Sequence, residues 1–134
     1  MKSVLFFALF FSLIASAGQS ENLMITPTTA NKKTQVAVMG RASYNFGLTF
    51  VNSLNTVTFK ITNTGDEALT YRQAVIYGIP FGARHNCTAG LLPNESCNVR
   101  IEFWPHQEGY FSGQFQLRFN EDSVVIDLWG NARR

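Results

Sequence analysis

The sequence contains few of the residues that enzymes and metal sites use in groups. It has two histidines and two cysteines in 134 residues, and it lacks the Gly-x-Ser-x-Gly motif that carries the nucleophile of many hydrolases. Glu121 and Asp122 stand together at a predicted hairpin tip, but a paired-acid site would need another acid facing them. We therefore predict a protein without enzymatic activity, without a cofactor and without a bound metal.

Basic charge is also scarce. The formal net charge is +2, and it falls to +1 if Lys2 is removed with the N-terminal segment. Adjacent basic residues occur only at Lys32-Lys33 and Arg133-Arg134. Because nucleic-acid binding requires a basic stripe or patch, the sequence argues against a nucleic-acid partner.

Long hydrophobic runs are missing except at the beginning of the chain. Lys2 precedes the apolar run Val4–Ala15, and Ala15-Ser16-Ala17 has the form of a signal-peptidase site. The run is shorter than the roughly 20 apolar residues of a spanning helix. We predict a signal peptide over residues 1–17 and an extracytoplasmic protein (periplasmic, cell-surface or secreted) without a membrane span after cleavage. An uncleaved membrane anchor is the alternative.

Helical periodicity and internal repeats are absent, and the chain alternates instead like a β-protein. Residues 18–33 form a polar lead-in segment, predicted to be mobile, whose Leu23-Met24-Ile25 patch can add an edge strand. Residues 34–134 form the predicted domain, with short strands over 34–39 and 42–46 followed by five alternating strands. The inward rows are Val57, Phe59, Ile61; Leu69, Tyr71, Val75, Tyr77; Cys97, Val99, Ile101, Phe103; Phe111, Phe115, Leu117, Phe119; and Val124, Ile126, Leu128.

About seven strands separated by turns every 8–12 residues predict an all-β fold, a sandwich of two antiparallel sheets. A barrel is the alternative.

Several motifs follow one another in a specific order. They are Asn45-Phe46-Gly47, residues 56–65, Pro80-Phe81, Cys87, residues 92–97, Phe103-Trp104-Pro105, Gly109, Ser112-Gly113 and Leu128-Trp129-Gly130. Together they resemble the ASH-type immunoglobulin-like domains shared by abnormal-spindle and hydin proteins, in a secreted bacterial-style version with a cysteine pair.

This resemblance implies a seven-stranded immunoglobulin-like sandwich of the PapD-like or major-sperm-protein-like kind, used for binding or scaffolding. Two positions depart from the family pattern. Asn94 stands where glycine is usual, and asparagine also tolerates left-handed backbone. Trp104 replaces a common threonine.

Cys87 and Cys97 are separated by residues 88–96, a loop that a disulfide can close. The predicted export to an oxidising compartment favours this bond. A metal pair is the rival interpretation, but further ligands at metal-site spacing are missing.

The roles of three other sets of residues remain open. His85 and His106 lie in predicted loops, where they are either solvated side chains or groups that bind a ligand or a metal. Asn86 and Asn94 begin glycosylation sequons that matter only in a eukaryotic secretory pathway. The last two strands predict a partner surface, for which the lead-in segment folding over Trp129 is the alternative. It consists of Gln114, Gln116, Arg118, Val125, Asp127 and Trp129.

The sequence as a whole predicts a non-enzymatic extracytoplasmic binding or structural module, monomeric or weakly oligomeric, that interacts with a protein partner. The alternative is an envelope or surface-structure assembly factor that acts by edge-strand pairing.

The signal peptide gives the first testable prediction. Intact-mass measurement of the protein purified from its native source should show a chain that begins at Gly18. A mass that still includes residues 1–17 would contradict the predicted cleavage.

Overall fold

A computed structural model describes residues 23–27, 34–38 and 40–134, and for residues 34–38 it describes only the backbone. Nine β-strands form the regular structure of these residues. The predicted signal peptide lies outside these residues. The strands are β1 Leu23–Pro27, β2 Thr34–Val38, β3 Arg41–Phe50, β4 Asn55–Asn63, β5 Tyr71–Tyr77, β6 Phe81–His85, β7 Ser96–Phe103, β8 Gly109–Phe119 and β9 Ser123–Arg133.

The strands form two sheets that pack face to face. The four-stranded sheet has the order β1-β4-β7-β6, and the five-stranded sheet has the order β2-β3-β9-β8-β5. All pairs are antiparallel except β3 and β9, which run parallel. The predicted immunoglobulin-like β-sandwich is confirmed, and the barrel alternative is wrong because the two sheets remain separate.

Alternation along the strands builds the core between the sheets. In β7 and β9 every second side chain is buried, as the period of two in a strand requires. The core residues expected from the alternating rows are buried. They are Val57, Phe59, Ile61, Leu69, Val99, Ile101, Phe103, Phe115, Leu117, Phe119, Ile126 and Leu128.

The expected inward row of β5 is wrong in its second half. The pairing of β5 with β8 shifts register between Tyr71 and Gln73. A β-bulge adds one residue to a strand, so the alternation beyond it is reversed. Ala74 and Ile76 consequently pack on the core, while Tyr77 is 49% exposed.

One strand was not expected from the sequence, and one expected edge strand is present. β6 pairs with β7 where a loop containing His85 was expected, so that prediction was wrong. β1 pairs with β4 and buries Leu23 and Ile25, so the edge strand expected at this patch is present. These residues of the lead-in segment therefore belong to the four-stranded sheet.

Phe115 tests the register of the central strands. It is 1% exposed on β8, and Phe115→Ala should lower the free energy of unfolding by about 3–5 kcal/mol through lost burial and a residual cavity. Denaturant unfolding measures this, with Arg72→Ala on the exposed edge as the control. A loss below about 1 kcal/mol for Phe115→Ala would contradict the register.

Candidate functional site

One end of the sandwich exposes large apolar side chains on neighbouring connections. Of the nine large apolar or aromatic side chains that are exposed among the described residues, three lie on the β3–β4, β5–β6 and β7–β8 connections at this end. Isolated exposed apolar residues are common, but a cluster of them marks an interaction site. We call this cluster the apolar end. It consists of Leu54, Ile79 and Trp104, which are 50%, 90% and 49% exposed.

Backbone hydrogen bonds hold the loops of the apolar end together. The Asn52 N–H, in the β3–β4 connection, donates to the Pro105 carbonyl at 2.7 Å, and the Trp104 N–H donates to the Pro80 carbonyl at 3.3 Å. His106 Nδ1 lies 2.9 Å from Asn52 Oδ1. Because three connections bind one another, the exposed side chains are presented on a fixed framework.

A layer of phenylalanine rings lies directly beneath these loops. The Phe103 ring stacks on Phe81 with centroids 5.0 Å apart, and it contacts Phe46 at 5.3 Å and Phe111 at 5.9 Å. These four residues come from β7, β6, β3 and β8, so the layer joins both sheets. Such offset and tilted aromatic pairs add about 0.5–1.5 kcal/mol each beyond area burial.

Shallow grooves run beside Ile79. One groove of about 300 Å³ is lined by Ile79, Pro80, Phe81, Gly82, Glu102, Trp104 and His106. Another of about 280 Å³ is lined by Ile79, Pro80, His106, Gln107 and Phe111. Apolar walls with a few polar groups can accept an apolar side chain of a partner.

The partner surface expected from the sequence lies elsewhere, on the outer face of the five-stranded sheet. There Arg41 and Gln114 donate to the two oxygens of Asp127 at 3.0 and 2.8 Å. Gln116 donates to Gln114, and Arg118 donates to Gln116, both at 2.6 Å. The structure thus brings these polar side chains together, but as a row in which they hydrogen-bond to one another.

Trp129 and Val125 lie at half-buried positions on the same face. The alternative, in which Leu23-Met24-Ile25 covers Trp129, is wrong because β1 belongs to the four-stranded sheet.

The opposite end of the sandwich is closed covalently. Cys87 and Cys97 form a disulfide, with their Cα atoms 5.2 Å apart. The predicted bond is confirmed, and the metal pair is excluded. Asn94, with φ of 70°, adopts the left-handed backbone expected of a glycine substitute.

The predicted hairpin tip also lies at this end. Glu121 accepts hydrogen bonds from the Thr70 N–H at 2.8 Å and its hydroxyl at 3.1 Å. The Thr70 backbone N–H is the main reason that the pKa of Glu121 is lowered.

The two histidines are not brought together. His85 ends β6 near the disulfide and accepts a hydrogen bond at Nδ1 from the Cys87 N–H at 3.1 Å. His106 lies at the apolar end. Within the described ranges, no three His, Cys, Asp or Glu side chains are grouped so that they could hold a metal ion. The same part of the chain has no helix of the length and hydropathy that a membrane crossing needs.

Sequence reasoning missed the apolar end because its members are far apart in the chain. Each residue alone is an ordinary loop or strand-end side chain, and only the three-dimensional fold assembles them. One signal was present, since Trp104 departs from the threonine that the family pattern favours. A large exposed aromatic residue in place of a small polar one is the kind of change that an interface selects.

Comparison with protein-family models gives one match that covers most of the chain. Residues 39–131 match the model of HYDIN/CFA65/VesB-like immunoglobulin-like domains. No curated protein matches the chain by sequence.

Solved structures with the same fold come from bacteria and from human. The VesB protease of Vibrio cholerae matches 93% of this chain with 35% of its own, at 16% identity and a TM-score of 0.57. The secreted serine protease VesC of Vibrio cholerae matches 66% of this chain with 21% of its own, at 15% identity and a TM-score of 0.54.

The ASH/PapD-like domain 7 of human CEP192 matches 86% of this chain with 87% of its own, at 13% identity and a TM-score of 0.55. The chain thus spans about a third or less of the two proteases but most of the human domain. At these identities the likeness concerns the fold.

Gly130 tests how the aromatic layer supports the apolar end. A Cβ at Gly130 would lie 2.6 Å from Phe103 Cζ, inside the ring layer. Gly130→Ala should therefore lower the free energy of unfolding by about 1–3 kcal/mol through overpacking.

Gly82→Ala is the matched control, because a Cβ there meets only Glu102 Oε1 at 3.8 Å. Denaturant unfolding measures the free energy of unfolding of both variants. Equal values would show that the phenylalanine rings move aside without an energetic cost, which would contradict the prediction.

Proposed function

The chain belongs to the family of HYDIN/CFA65/VesB-like immunoglobulin-like domains, and on this basis we propose that it is a non-enzymatic extracytoplasmic module that binds another protein through its apolar end. The observation that carries the proposal is the group of three exposed apolar side chains, Leu54, Ile79 and Trp104, on loops that hydrogen-bond to one another. Protein interfaces favour tryptophan and tyrosine in this setting, because these side chains bury large areas at a small entropic cost.

The rigidity of the apolar end supports binding rather than a purely structural role. Loops that are already fixed lose little conformational freedom when a partner docks, so more of the contact energy appears as affinity. Ile79, on one of these loops, is 90% exposed. Contact of this apolar side chain with water has an unfavourable free energy in the isolated domain. A partner that covers Ile79 and Trp104 removes that cost.

One observation and one sequence prediction support the proposed extracytoplasmic address. Cys87 and Cys97 form a buried disulfide, and such bonds persist in oxidising compartments. The predicted signal peptide over residues 1–17 provides the route. The relatives VesB and VesC are proteases much longer than this chain. We propose that this module itself contributes binding, and that any catalysis belongs to its partner.

The alternative is an assembly factor that acts by edge-strand pairing. β5 and β6 lie at the edges of their sheets, and residues 73–77 of β5 carry no charge and no proline. Such an edge can accept a strand from another protein. Val75→Lys would place a charge in that edge and abolish pairing, while leaving binding at the apolar end unchanged.

The outer face around Trp129 is a further proposed contact surface. Its polar side chains bond to one another, so a partner would gain little from them. Trp129→Ala isolates the contribution of this face.

The apolar end gives the fourth prediction. Affinity capture with the exported protein from its own envelope fraction should recover a partner that the Ile79→Ser, Trp104→Ser double variant no longer retains. Loss of two central apolar anchors typically costs at least about 2 kcal/mol, roughly a thirtyfold drop in affinity.

Leu92→Ser is the matched control, since Leu92 is 58% exposed but lies at the disulfide end. It should bind like the wild type. Equal capture by all three proteins would refute the proposed site.

A further inference from the structure

Two arginines face each other on the outer surface of the four-stranded sheet. Arg84 on β6 and Arg100 on β7 are register partners, and their side chains are 79% and 51% exposed. Like charges directly opposite each other on a sheet reduce stability. The arrangement therefore has a cost that the fold does not need.

One carboxylate lies between the two guanidinium groups. Glu102 Oε2 is 3.9 Å from Arg84 Nε and 3.6 Å from Arg100 Nε. These distances are longer than hydrogen bonds, so the pairing is loose. Lys60 adds a third cation on the neighbouring strand β4, where it is the register partner of Asn98 on β7. The local charge is positive after Glu102 has been counted.

This basic surface continues directly from the apolar end. Gly82 and Glu102 are register partners and line the groove beside Ile79 and Trp104. The arginine pair is the next outward-facing pair along the same two strands, about 6.6–6.8 Å further on. Gly82 adds no side chain between the groove and the arginines, and Glu102 Oε1 lies 3.8 Å from the position that a Gly82 Cβ would take.

We propose that the partner of the apolar end presents an extended acidic segment, in which an apolar residue enters the groove and an Asp or Glu two to four residues away binds Arg84 and Arg100. The inference rests on the proposed function and adds the chemistry of the partner. An extended chain advances about 3.3 Å per residue, so this spacing spans about 7–13 Å and reaches the arginine pair.

Arginine is suited to this role. Its planar guanidinium offers several N–H donors in a fixed geometry that matches a carboxylate. Glu102 Oε2 pairs only loosely with Arg84 and Arg100, at 3.9 and 3.6 Å, and more than half of each arginine side chain remains exposed to a ligand. A basic partner would meet uncompensated repulsion here, so the surface also selects against it.

The test uses short synthetic peptides on the exported protein. One labelled Gly/Ser peptide carries a Leu followed by Glu residues, a second replaces the Glu residues with Lys, and a third replaces the Leu with Ser. Fluorescence anisotropy measures affinity. The Leu/Glu peptide should bind, and each of the other two should bind at least about tenfold more weakly.

Charge-reversal variants locate the contact. Arg84→Glu and Arg100→Glu should each weaken the Leu/Glu peptide about tenfold or more and strengthen the Leu/Lys peptide. Arg72→Glu, which makes the same charge change on the edge of the other sheet, should behave like the wild type.

Several outcomes would overturn the inference. They are equal binding of the Glu and Lys peptides, equal binding of the peptide without Leu, equal losses for Arg72→Glu and Arg100→Glu, or no binding of the Leu/Glu peptide at millimolar concentration. Native-partner capture separates this inference from the proposed function. If the Ile79→Ser, Trp104→Ser protein loses the partner but Arg84→Glu and Arg100→Glu retain it, the apolar end stands and the acidic segment is wrong.

Discussion

The packing of the Phe103 ring against Gly130 is the constraint on which the rest of the structure depends. Phe103 is fully buried, and a side chain at Gly130 would occupy the space of its ring. Only a glycine on β9 lets the two sheets approach this closely at that level. Phe81 and Phe46 then stack around Phe103 and tie β6 and β3 to the same layer.

The loops that leave this layer are anchored by its buried rings. Phe103 is followed at once by Trp104, and Phe81 is preceded by Ile79 and Pro80. Trp104 and Ile79 are thus one and two positions from a buried ring. The opposite end is held in a different way, by the Cys87–Cys97 bond. One end is closed covalently, and the other is held by packing and exposes apolar side chains.

The sequence alone predicted the sandwich, the disulfide and the core, because alternation and turn residues are local signals. It failed at β5, where the irregularity between Tyr71 and Gln73 reversed the alternation without a local marker. It also missed β6, a short strand that depends on pairing with β7. The polar residues predicted as a partner surface were correctly placed on one outer face, but their mutual hydrogen bonds depend on exact side-chain geometry.

The apolar end could not be predicted in the same way. Leu54, Ile79 and Trp104 come from three connections that are distant in sequence, and no local pattern relates them. Their exposure depends on how the chain crosses between sheets at residues 78–80 and 104–108. The proposed interaction surface therefore depends on topology rather than on a local motif.

Amide hydrogen exchange of the protein with and without its captured partner tests the central claim most directly. The account predicts that the partner slows exchange in residues 51–54, 78–82 and 104–108, which form the apolar end and its groove. Protection of residues 114–118 and 125–129 instead, with the three connections unchanged, would contradict the account and assign binding to the outer face of the five-stranded sheet.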